Sequence, residues 1–409
     1  MKLPPSEWIE RRGLAALIAA LDGKARFVGG AVRDSLLGVT VKDVDIATPL
    51  LPRDVMERLK AASIKVVPTG IDHGTVTAVL PDGPVEITTL RRDVSTDGRR
   101  ATVAFSENWR EDAARRDFTI NALFADPETL EISDYFGGLA DLEQRQIRFI
   151  GSAAERIAED HLRIMRYFRF LARFGLHDLE PEAFRACVEA APKLELLSRE
   201  RVADELLKLL ATDDPRLAVG KMLDTGIFDH IIADTDELAP VLLDRLVDRE
   251  QVHAIVPGAV RRLVALLPKQ KDQAGAVAKS LKLSKKLQRA IAERLPTLTD
   301  DQTGPGADLF QGENDIRALA YRTSVEAARD VALLFVDDES LSNMLTRLKD
   351  WQPPHFPLTG GDLIERGLKP GPIVARTLAT IEQAWIDKGF PDEKWLANYV
   401  DGLDFTPGT

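Results

Sequence analysis

The alternation of hydrophobic and polar positions changes character along the chain. Up to about residue 140, short runs with the period of two that is typical of β-strands are mixed with helical segments. From Glu155 onward, nearly every run has the spacing of an amphipathic helix. We therefore predict an α+β fold, in which a small mixed-sheet head is followed by an all-helical neck, body and tail.

Within the predicted head, the same pattern gives individual elements. Residues 5–22 have the spacing of an amphipathic helix, and residues 27–48 predict a strand, a glycine turn, a short helix and a second strand. Two alternating runs between residues 73 and 90 meet at Pro81-Asp82-Gly83-Pro84, which favours a β-hairpin. The head is therefore expected to contain a short mixed sheet with flanking helices.

Glycine and proline clusters mark the predicted domain boundaries. The pair Gly137-Gly138 precedes the end of the head, and three prolines between residues 353 and 357 precede the tail. We expect a head over residues 1–140, a neck over 141–215, a body over 216–352 and a tail over 353–409.

Composition narrows the class of protein. The 409 residues carry a formal net charge of −11, which argues against coating of nucleic acid by the whole surface but is compatible with a local basic face. The one cysteine, Cys187, excludes an internal disulfide and a cysteine-based zinc cluster. Residues 1–26 lack the apolar run of a signal peptide, and no stretch reaches transmembrane length. We expect a cytoplasmic protein that does not engage a membrane.

Candidate chemistry lies within residues 27–48. Gly29 and Gly30 follow an apolar pair and precede a helix, so backbone N–H groups can approach a phosphate, and Arg33 adds a charge in the first helical turn. Asp43 and Asp45 alternate with apolar residues in the next strand, so both carboxylates face one side. Mg²⁺ prefers hard oxygen ligands that leave positions for water and phosphate. This combination predicts metal-assisted nucleotidyl transfer, with both aspartates as catalytic metal ligands.

A third carboxylate is available in the predicted hairpin. Glu86 alternates with Val85 and Ile87 and could lie beside the aspartate pair. A glutamate at a sheet edge explains the pattern equally well. Glu86 is kept as a candidate catalytic residue.

The order of the motifs GGAVRD, LLG and DVDIAT resembles the head-domain signature of class II tRNA nucleotidyltransferases and bacterial poly(A) polymerases. These proteins belong to the polymerase-β-like nucleotidyltransferase superfamily. The resemblance covers residues 27–210 strongly, residues 356–400 moderately, and the body only by helix content. It implies an enzyme that uses Mg²⁺, CTP and ATP and binds tRNA, and it implies no protein partner.

Residues 91–116 form a basic stretch with seven arginines. We predict a long loop that is ordered by a ligand, and its position resembles the flexible loop of complete CCA-adding enzymes. The motif RRDFTINALF that follows resembles the family motif in which an arginine contacts the nucleotide triphosphate, with Arg116 as the first candidate and Arg115 as the second. Asp117 and Asn121, four apart on one helical face, could brace that arginine or the neck, although capping and domain packing explain them at least as well.

A second set of arginines is predicted on one helix over residues 159–175. They are three or four residues apart and therefore share a face: Arg163, Arg166, Arg169 and Arg173. Asp160 lies one turn before Arg163, so an acceptor adjoins a donor. Cytosine and adenine present an amino donor beside a ring-nitrogen acceptor, whereas uracil and guanine present the reverse. Rejection through unpaired buried polar groups can reach roughly 10⁴ to 10⁵.

This segment resembles the EDxxR motif of the family, whose Asp and Arg read the base. The resemblance assigns base reading to Asp160 and Arg163, and support of the triphosphate or base to Arg166 and Arg169. A solvated basic helix face is the alternative explanation of the arginine spacing.

The remaining helices carry fewer signals. Residues 198–210 resemble the family's neck motif, with Arg201 and Glu205 one turn apart, and are expected to hold the base-reading helix without touching substrate. In the body, a basic cluster between residues 279 and 289 suits RNA phosphates, although an exposed helix explains it too. Gly/Pro turns in the tail each open a helix, and from sequence alone a structural αα-hairpin is the preferred explanation. The segment nevertheless resembles the tail of CCA-adding enzymes, which meets the tRNA elbow.

One function is favoured by these observations, the Mg²⁺-dependent, template-independent addition of C, C and A to the 3′ end of tRNA. A poly(A) polymerase with the same head is the nearest alternative. A non-catalytic tRNA-binding protein is a third, which the presence of both Asp43 and Asp45 disfavours.

Overall fold

The structure is a computed structural model that describes residues 1–97, 100–175, 179–232, 235, 237–295 and 315–403, with backbone alone for 93–97, 100–103 and 315. The chain divides into two compact units, Met1–Ile231 and Ile232–Thr409. Among the described residues, no helix has the length and apolar character needed to cross a bilayer. The finer division into head, neck, body and tail stays a prediction.

A mixed β-sheet forms the head of the first unit, as the sequence predicts. Its strands lie in the order β3-β4-β5-β2-β1-β8-β9; β2 and β5 run parallel, and the other neighbours run antiparallel. The strands are β1 (Arg26–Val28), β2 (Val44–Thr48), β3 (Lys65–Gly70), β4 (Thr75–Leu80), β5 (Gly83–Thr89), β8 (Leu123–Ala125) and β9 (Ile132–Asp134). A separate two-stranded ribbon is formed by β6 (Arg91–Asp97) and β7 (Arg100–Phe105).

Helices flank this sheet and then continue alone to the end of the unit. They are α1 (Leu14–Ala20), α2 (Gly30–Leu36), α3 (Pro52–Ala61), α4 (Trp109–Ala114), α5 (Gly138–Glu143), α6 (Ala153–Glu159), α7 (Leu162–Phe174), α8 (Pro181–Ala190), α9 (Arg199–Leu210) and α10 (Arg216–Asp224). The mixed-sheet head with a helical remainder confirms the predicted α+β class.

The hairpin prediction is confirmed. Strands β4 and β5 pair antiparallel up to Leu80 opposite Gly83, so Pro81 and Asp82 form the turn. The opening helix is shorter than predicted, because Gly13, at φ 88°, separates a 3₁₀ turn at Glu7–Glu10 from α1. A left-handed glycine interrupts helical hydrogen bonding at this point.

The prediction of a long loop over residues 91–116 is wrong. The backbone forms β6, β7 and α4, and Asn108 caps α4 by accepting a hydrogen bond from the N–H of Arg110 at 2.9 Å. The segment is rich in arginine, but it also contains residues that favour strands, such as Thr102 and Val103 in RATVAF. Gly98 and Arg99 lie outside the described residues.

An aromatic cluster joins the sheet region to α7. Phe118 and Phe149 have ring centroids 4.6 Å apart, Phe170 meets Phe118 edge-on at 5.3 Å, and Tyr167 stacks on Phe149 at 6.0 Å. All four rings are buried. Because α7 supplies two of them, its arginine-bearing side is held at a fixed position beside the head.

The second unit is helical in the residues described. It contains α11 (Ala239–Val252), α12 (Ala259–Leu266), α13 (Lys271–Ser280), α14 (Lys285–Glu293), α15 (Asp315–Arg322), α16 (Val325–Phe335), α17 (Asp338–Leu348), α18 (Gly360–Glu365), α19 (Pro372–Asp387) and α20 (Glu393–Asp401). Both tail turns open helices, α18 and α19, as predicted. Buried Arg261 forms ion pairs with Glu250 at 2.6 Å and Asp330 at 2.5 Å, which ties α11, α12 and α16 together.

The basic cluster of the body lies on the α13–α14 hairpin. Its members are exposed: Lys279, Lys282, Lys285, Lys286 and Arg289. Arg289 forms an ion pair with Glu293 at 2.7 Å. RNA binding by this surface stays a prediction.

Candidate active site

A cleft of about 680 Å³ gathers most of the predicted site residues in the first unit. They come from segments far apart in sequence: Gly29, Gly30, Arg33, Asp43, Asp45, Arg115, Arg116, Asp160, Arg163, Arg166 and Arg169. The lining also includes Arg91, Asp117, Asn121, Leu162, Phe170 and Arg201. The lining contains eight arginines and four aspartates, so it carries an excess of positive charge although the whole chain is acidic. A polyanion such as a triphosphate is the ligand that this charge favours.

The two predicted metal ligands lie side by side at the start of β2. Asp45 is a strand residue, and Val44 and Ile46 on either side of it are buried. Asp43 immediately precedes the strand and is exposed. The prediction that both aspartates belong to the strand is therefore wrong for Asp43. Both carboxylates nevertheless line the same cleft.

The electrostatics of this pair favour a cation. Burial, together with the negative charge of Glu86, raises the pKa of Asp45 to about 6. Asp43 adds to the repulsion, whereas Arg116 opposes it. The protein compensates the negative charge of these carboxylates only in part. A hard divalent cation would neutralise the remainder. The donor set therefore fits a metal held by Asp43 and Asp45.

Glu86 lies next to this pair but does not line the cleft. It is directly opposite Asp45 in the parallel β2–β5 ladder, and its side chain is exposed. In the described part of the chain, no group of three or more acidic, histidine or cysteine side chains is arranged to hold a metal. A catalytic role for Glu86 stays a prediction.

The glycine turn brings backbone and arginine close together. Gly29 has φ +68°, and a Cβ atom there would lie 3.4 Å from Nη1 of Arg116. A side chain would therefore be strained by the backbone conformation, while its Cβ would only touch this arginine.

Arg33 is buried on the cleft wall and is oriented by three groups. Its guanidinium forms an ion pair with Asp34 at 2.7 Å, donates to the side-chain oxygen of Asn121, and lies over the ring of Phe170 at 5.1 Å. Burial lowers the pKa of Arg33, and the Asp34 charge offsets part of this effect. Its direct donation to a phosphate stays a prediction.

The two arginines predicted to contact the triphosphate share one buried carboxylate that sequence reasoning missed. Asp112 accepts from Nε of Arg115 at 2.9 Å and from Nη2 of Arg116 at 3.0 Å. Burial alone would raise the pKa of Asp112, but the two guanidinium charges hold it below its usual range. Because Asp112 lies three and four residues before these arginines on α4, the spacing was a readable signal.

Asp117 and Asn121 do brace the site, but not from one helix. The segment forms a 3₁₀ turn at Thr119–Asn121 and then strand β8, so the predicted helical run is wrong. Asn121 nevertheless donates to Asp117 at 3.0 Å. The two polar side chains therefore meet without a helix between them. Leu123 and Phe124, which follow them, are buried in strand β8.

The helix predicted over residues 159–175 is broken at Asp160. This residue has an extended backbone, with φ −153° and ψ 106°, between α6 and α7. Its Oδ1 accepts from the N–H of Leu162 at 3.1 Å, and its Oδ2 accepts from Nη2 of Arg201 at 2.8 Å. The two contacts fix the carboxylate at the cleft surface.

The side chain of Arg163 contacts α6. Its Nη1 donates to the carbonyl of Arg156 at 2.7 Å and to the carboxylate of Glu159. Asp160 and Arg163 both line the cleft. Their use in base reading stays a prediction.

The neck helix α9 holds α7, as expected, but it also reaches the cleft. Buried Glu205 accepts from Nε of Arg169 at 2.7 Å, while Arg201 contacts Asp160 and lines the cleft itself. The expectation that this motif does not touch substrate stays a prediction, although Arg201 lies at the cleft surface. The one-turn spacing of Arg201 and Glu205 did not predict these separate contacts. Arg201 contacts Asp160, just before α7, and Glu205 contacts Arg169 within α7.

A mixed-sheet head whose paired carboxylates face an arginine-lined cleft defines a nucleotidyltransferase. Profiles of three families match successive parts of the chain: the poly(A) polymerase head domain over residues 25–148, a probable RNA- and SrmB-binding site of polymerase A over 178–238, and a putative domain 2 of tRNA nucleotidyltransferases over 260–396.

Full-length relatives give the narrower assignment. The mitochondrial CCA tRNA nucleotidyltransferase 1 of Mus musculus is 33% identical over 95% of this chain and 89% of its own length. A CCA-adding enzyme of Streptococcus pneumoniae is 35% identical over 94% of both proteins. The chain belongs to the family of class II CCA-adding tRNA nucleotidyltransferases.

Solved structures agree with this assignment. The Bacillus stearothermophilus CCA-adding enzyme in complex with CTP superposes with a TM-score of 0.70 at 28% identity, covering 94% of this chain and 96% of that one. The Thermotoga maritima CCA-adding enzyme complexed with tRNA has a TM-score of 0.66 over 98% and 96% of the two chains. At 22% identity, the second likeness supports the fold alone.

Proposed function

We propose that this protein adds C, C and A in turn to the 3′ end of tRNA, using CTP and ATP and releasing pyrophosphate. One observation carries the proposal. The carboxylate pair Asp43 and Asp45, the arginines that suit a triphosphate, and the pair Asp160 and Arg163 all line one cleft. Metal binding, phosphate binding and base choice can therefore act on a single nucleotide.

Asp43 and Asp45 would hold Mg²⁺, which when bound neutralises triphosphate charge and lowers the pKa of the primer 3′-hydroxyl. The family is metal-dependent in general, and the choice of Mg²⁺ rests on the oxygen-only ligands of this pair. The protein's own part is positioning, since in-line attack by a hydroxyl requires no covalent enzyme intermediate.

Arg115 and Arg116 are the residues we assign to the phosphates. Asp112 holds both guanidiniums at the cleft, so little side-chain freedom is lost when they meet the triphosphate. Arg166 and Arg169 are likewise held by Asp117 and Glu205. These contacts preorganise positive charge where negative charge accumulates in the reaction.

Base choice is assigned to Asp160 and Arg163. A carboxylate accepts several hydrogen bonds, so Asp160 can receive the amino group of cytosine or adenine while keeping its bonds to Leu162 and Arg201. The two contacts of Arg163 described above both use Nη1, one end of its planar guanidinium. UTP and GTP would place a carbonyl against the Asp160 carboxylate and leave both acceptors without a donor.

RNA binding is assigned to surfaces outside the cleft. The exposed lysines of the α13–α14 hairpin and the Gly/Pro turns before α18 and α19 supply positive charge and backbone N–H groups.

We place the protein in the cytoplasm, a proposal that cell fractionation tests.

The test is incorporation of labelled nucleotide into a tRNA that lacks its 3′ CCA, with each NTP offered singly and in pairs. We expect Mg²⁺-dependent pyrophosphate release with CTP, and with ATP once CTP has been added. Asp45→Asn abolishes release, whereas Glu57→Gln, an exposed carboxylate of α3, leaves it unchanged. Release with none of the four NTPs would instead favour a non-catalytic tRNA-binding protein, and long A tails a poly(A) polymerase.

A further inference from the structure

The first residues of the chain are hydrogen-bonded to the head. Main-chain hydrogen bonds join Leu3 to Leu130 at 2.8 Å and Ile132 to Met1 at 3.0 Å, next to β9. Further along, buried Trp8 donates from its indole to the hydroxyl of Ser35 on α2 at 2.8 Å. Residues 1–11 are thereby fixed on the head.

This fixed segment ends in a contact with the chain just before the metal ligands. Nη2 of Arg11 donates to the carbonyl of Lys42 at 2.9 Å and also approaches the carbonyl of Val41 at 3.4 Å. Lys42 is the residue immediately before Asp43. The Arg11 side chain therefore contacts the backbone immediately before this carboxylate.

Asp43 depends on such a contact in a way that Asp45 does not. Asp45 lies in β2 and is held by the ladder to β5, whereas residues 39–43 have no regular secondary structure. A cavity of about 540 Å³, lined by Trp8, Arg11 and residues 38–41 among others, lies beside this segment. The main-chain bond from Val39 to Asp34 and the buried side chain of Val41 hold the start of this segment. The Arg11 bond to Lys42 holds its end, next to Asp43.

We infer that Arg11 is a positioning residue for Asp43, and that it sets the affinity of the carboxylate pair for a divalent cation. The inference rests on the proposed role of Asp43 and Asp45 as metal ligands. Without the Arg11 guanidinium, the carbonyl of Lys42 is hydrogen-bonded to water instead. Asp43 then leaves its position beside Asp45 in the cleft. Asp45 alone is then a weaker site.

The neighbouring arginine provides a matched control. Arg12 is 75% exposed at its side chain and forms an ion pair with Asp82 at the β4–β5 turn, 2.6 Å away. Arg12→Ala removes the same charge one residue later and leaves the contact to Lys42 in place. Arg11→Lys keeps a donor and a charge but loses the planar geometry, so it is expected to recover part of the function.

The experiment measures Mn²⁺ binding by electron paramagnetic resonance, together with the Mg²⁺ concentration for half-maximal CTP incorporation. Arg11→Ala is expected to weaken Mn²⁺ binding and raise the Mg²⁺ midpoint by about three- to tenfold, which corresponds to one lost hydrogen bond. Arg12→Ala matches the unmodified protein in both measurements. Thermal unfolding in EDTA shows that both variants are folded at the assay temperature.

Equal Mn²⁺ affinity in folded Arg11→Ala and Arg12→Ala would overturn the inference. So would a failure of both Arg11→Ala and Arg11→Met to fold, since that would make the role purely structural. If the unmodified protein binds Mn²⁺ but incorporates no nucleotide, and Arg11→Ala still weakens Mn²⁺ binding, the positioning role holds and the proposed function fails.

Discussion

Asp117, in the turn before β8, forms an ion pair with Arg166 of α7, with Nη2 and Oδ2 2.5 Å apart. Burial alone would raise the pKa of Asp117, but the Arg166 charge and hydrogen bonds from Asn121 and Phe118 hold it below the usual range. Asn121 also accepts a hydrogen bond from Arg33. One chain of contacts therefore runs from α7 to α2, the helix that follows the glycine turn. Helix α7 and helix α2, which line the same cleft, are thus joined by side-chain contacts.

Removing this ion pair should destabilise the protein. Asp117→Asn leaves the mostly buried guanidinium of Arg166 without its counter-ion, and we expect the free energy of unfolding to fall by about 1 to 3 kcal/mol. Denaturant titration measures the change. Asp204→Asn, which breaks the exposed pair with Lys208 on α9, serves as control and changes stability by less than about 0.5 kcal/mol. Equal effects of the two variants would show that Asp117 does not anchor α7.

Asp112 gives a second prediction, on phosphate binding. In Asp112→Asn the common anchor of Arg115 and Arg116 loses its charge, so we expect the KM for CTP to rise about tenfold or more. Steady-state kinetics and inhibition by pyrophosphate measure the effect. Glu111→Gln, the exposed neighbour on α4, is the control. An unchanged KM and an unchanged pyrophosphate inhibition constant in Asp112→Asn would refute the anchoring role.

Base selection is tested at Asp160. An Asn side chain can turn its amide N–H₂ toward the carbonyl of uracil, so we expect Asp160→Asn to lower the ratio of kcat/KM for CTP over UTP by at least about tenfold. Single-turnover incorporation with each nucleotide gives the ratio. Glu189→Gln, in an exposed pair with Arg185 on α8, keeps the normal ratio. Loss of rate with an intact ratio would assign Asp160 a structural role only.

The raised pKa of Asp45 predicts a stability cost in the metal-free protein. The folded state binds this proton more readily than the unfolded state, so the free energy of unfolding falls as pH rises from about 3.8 to about 6. Asp45→Asn removes the effect, and we expect it to stabilise the protein in EDTA at pH 7.5 by about 1 to 2 kcal/mol after solvent screening is allowed for.

At pH 5 this gain is expected to shrink to roughly half, because part of the Asp45 population is then protonated in the folded state. Thermal unfolding at the two pH values measures it. Glu57→Gln, an exposed carboxylate of α3, gives no gain at either pH. A gain for Asp45→Asn that is the same at both pH values would mean that its titration is not the cause.

Local spacing was enough to predict much of the fold. The alternation around Asp45 predicted strand β2, although Asp43 lies just before it. The turn signals located the β4–β5 hairpin and the starts of α18 and α19. Each of these features depends on neighbours a few residues away. The arginine spacing on α7 was readable for the same reason.

Contacts between distant segments were not predictable. The extended backbone at Asp160 separates two helices whose patterns are compatible with a single one, and it is accompanied by the bond to Arg201, 41 residues later. The β6–β7 ribbon was missed because arginine content outweighed strand propensity. The Arg11 contact joins residues 31 apart and has no sequence signature.

The most direct test of the central claim is to sequence the 3′ ends of a tRNA lacking CCA after incubation with the purified protein, Mg²⁺, CTP and ATP. The account predicts that products grow by C, C and A and then stop. Products with long A tails, products that end at CC, or an unextended tRNA would each contradict it.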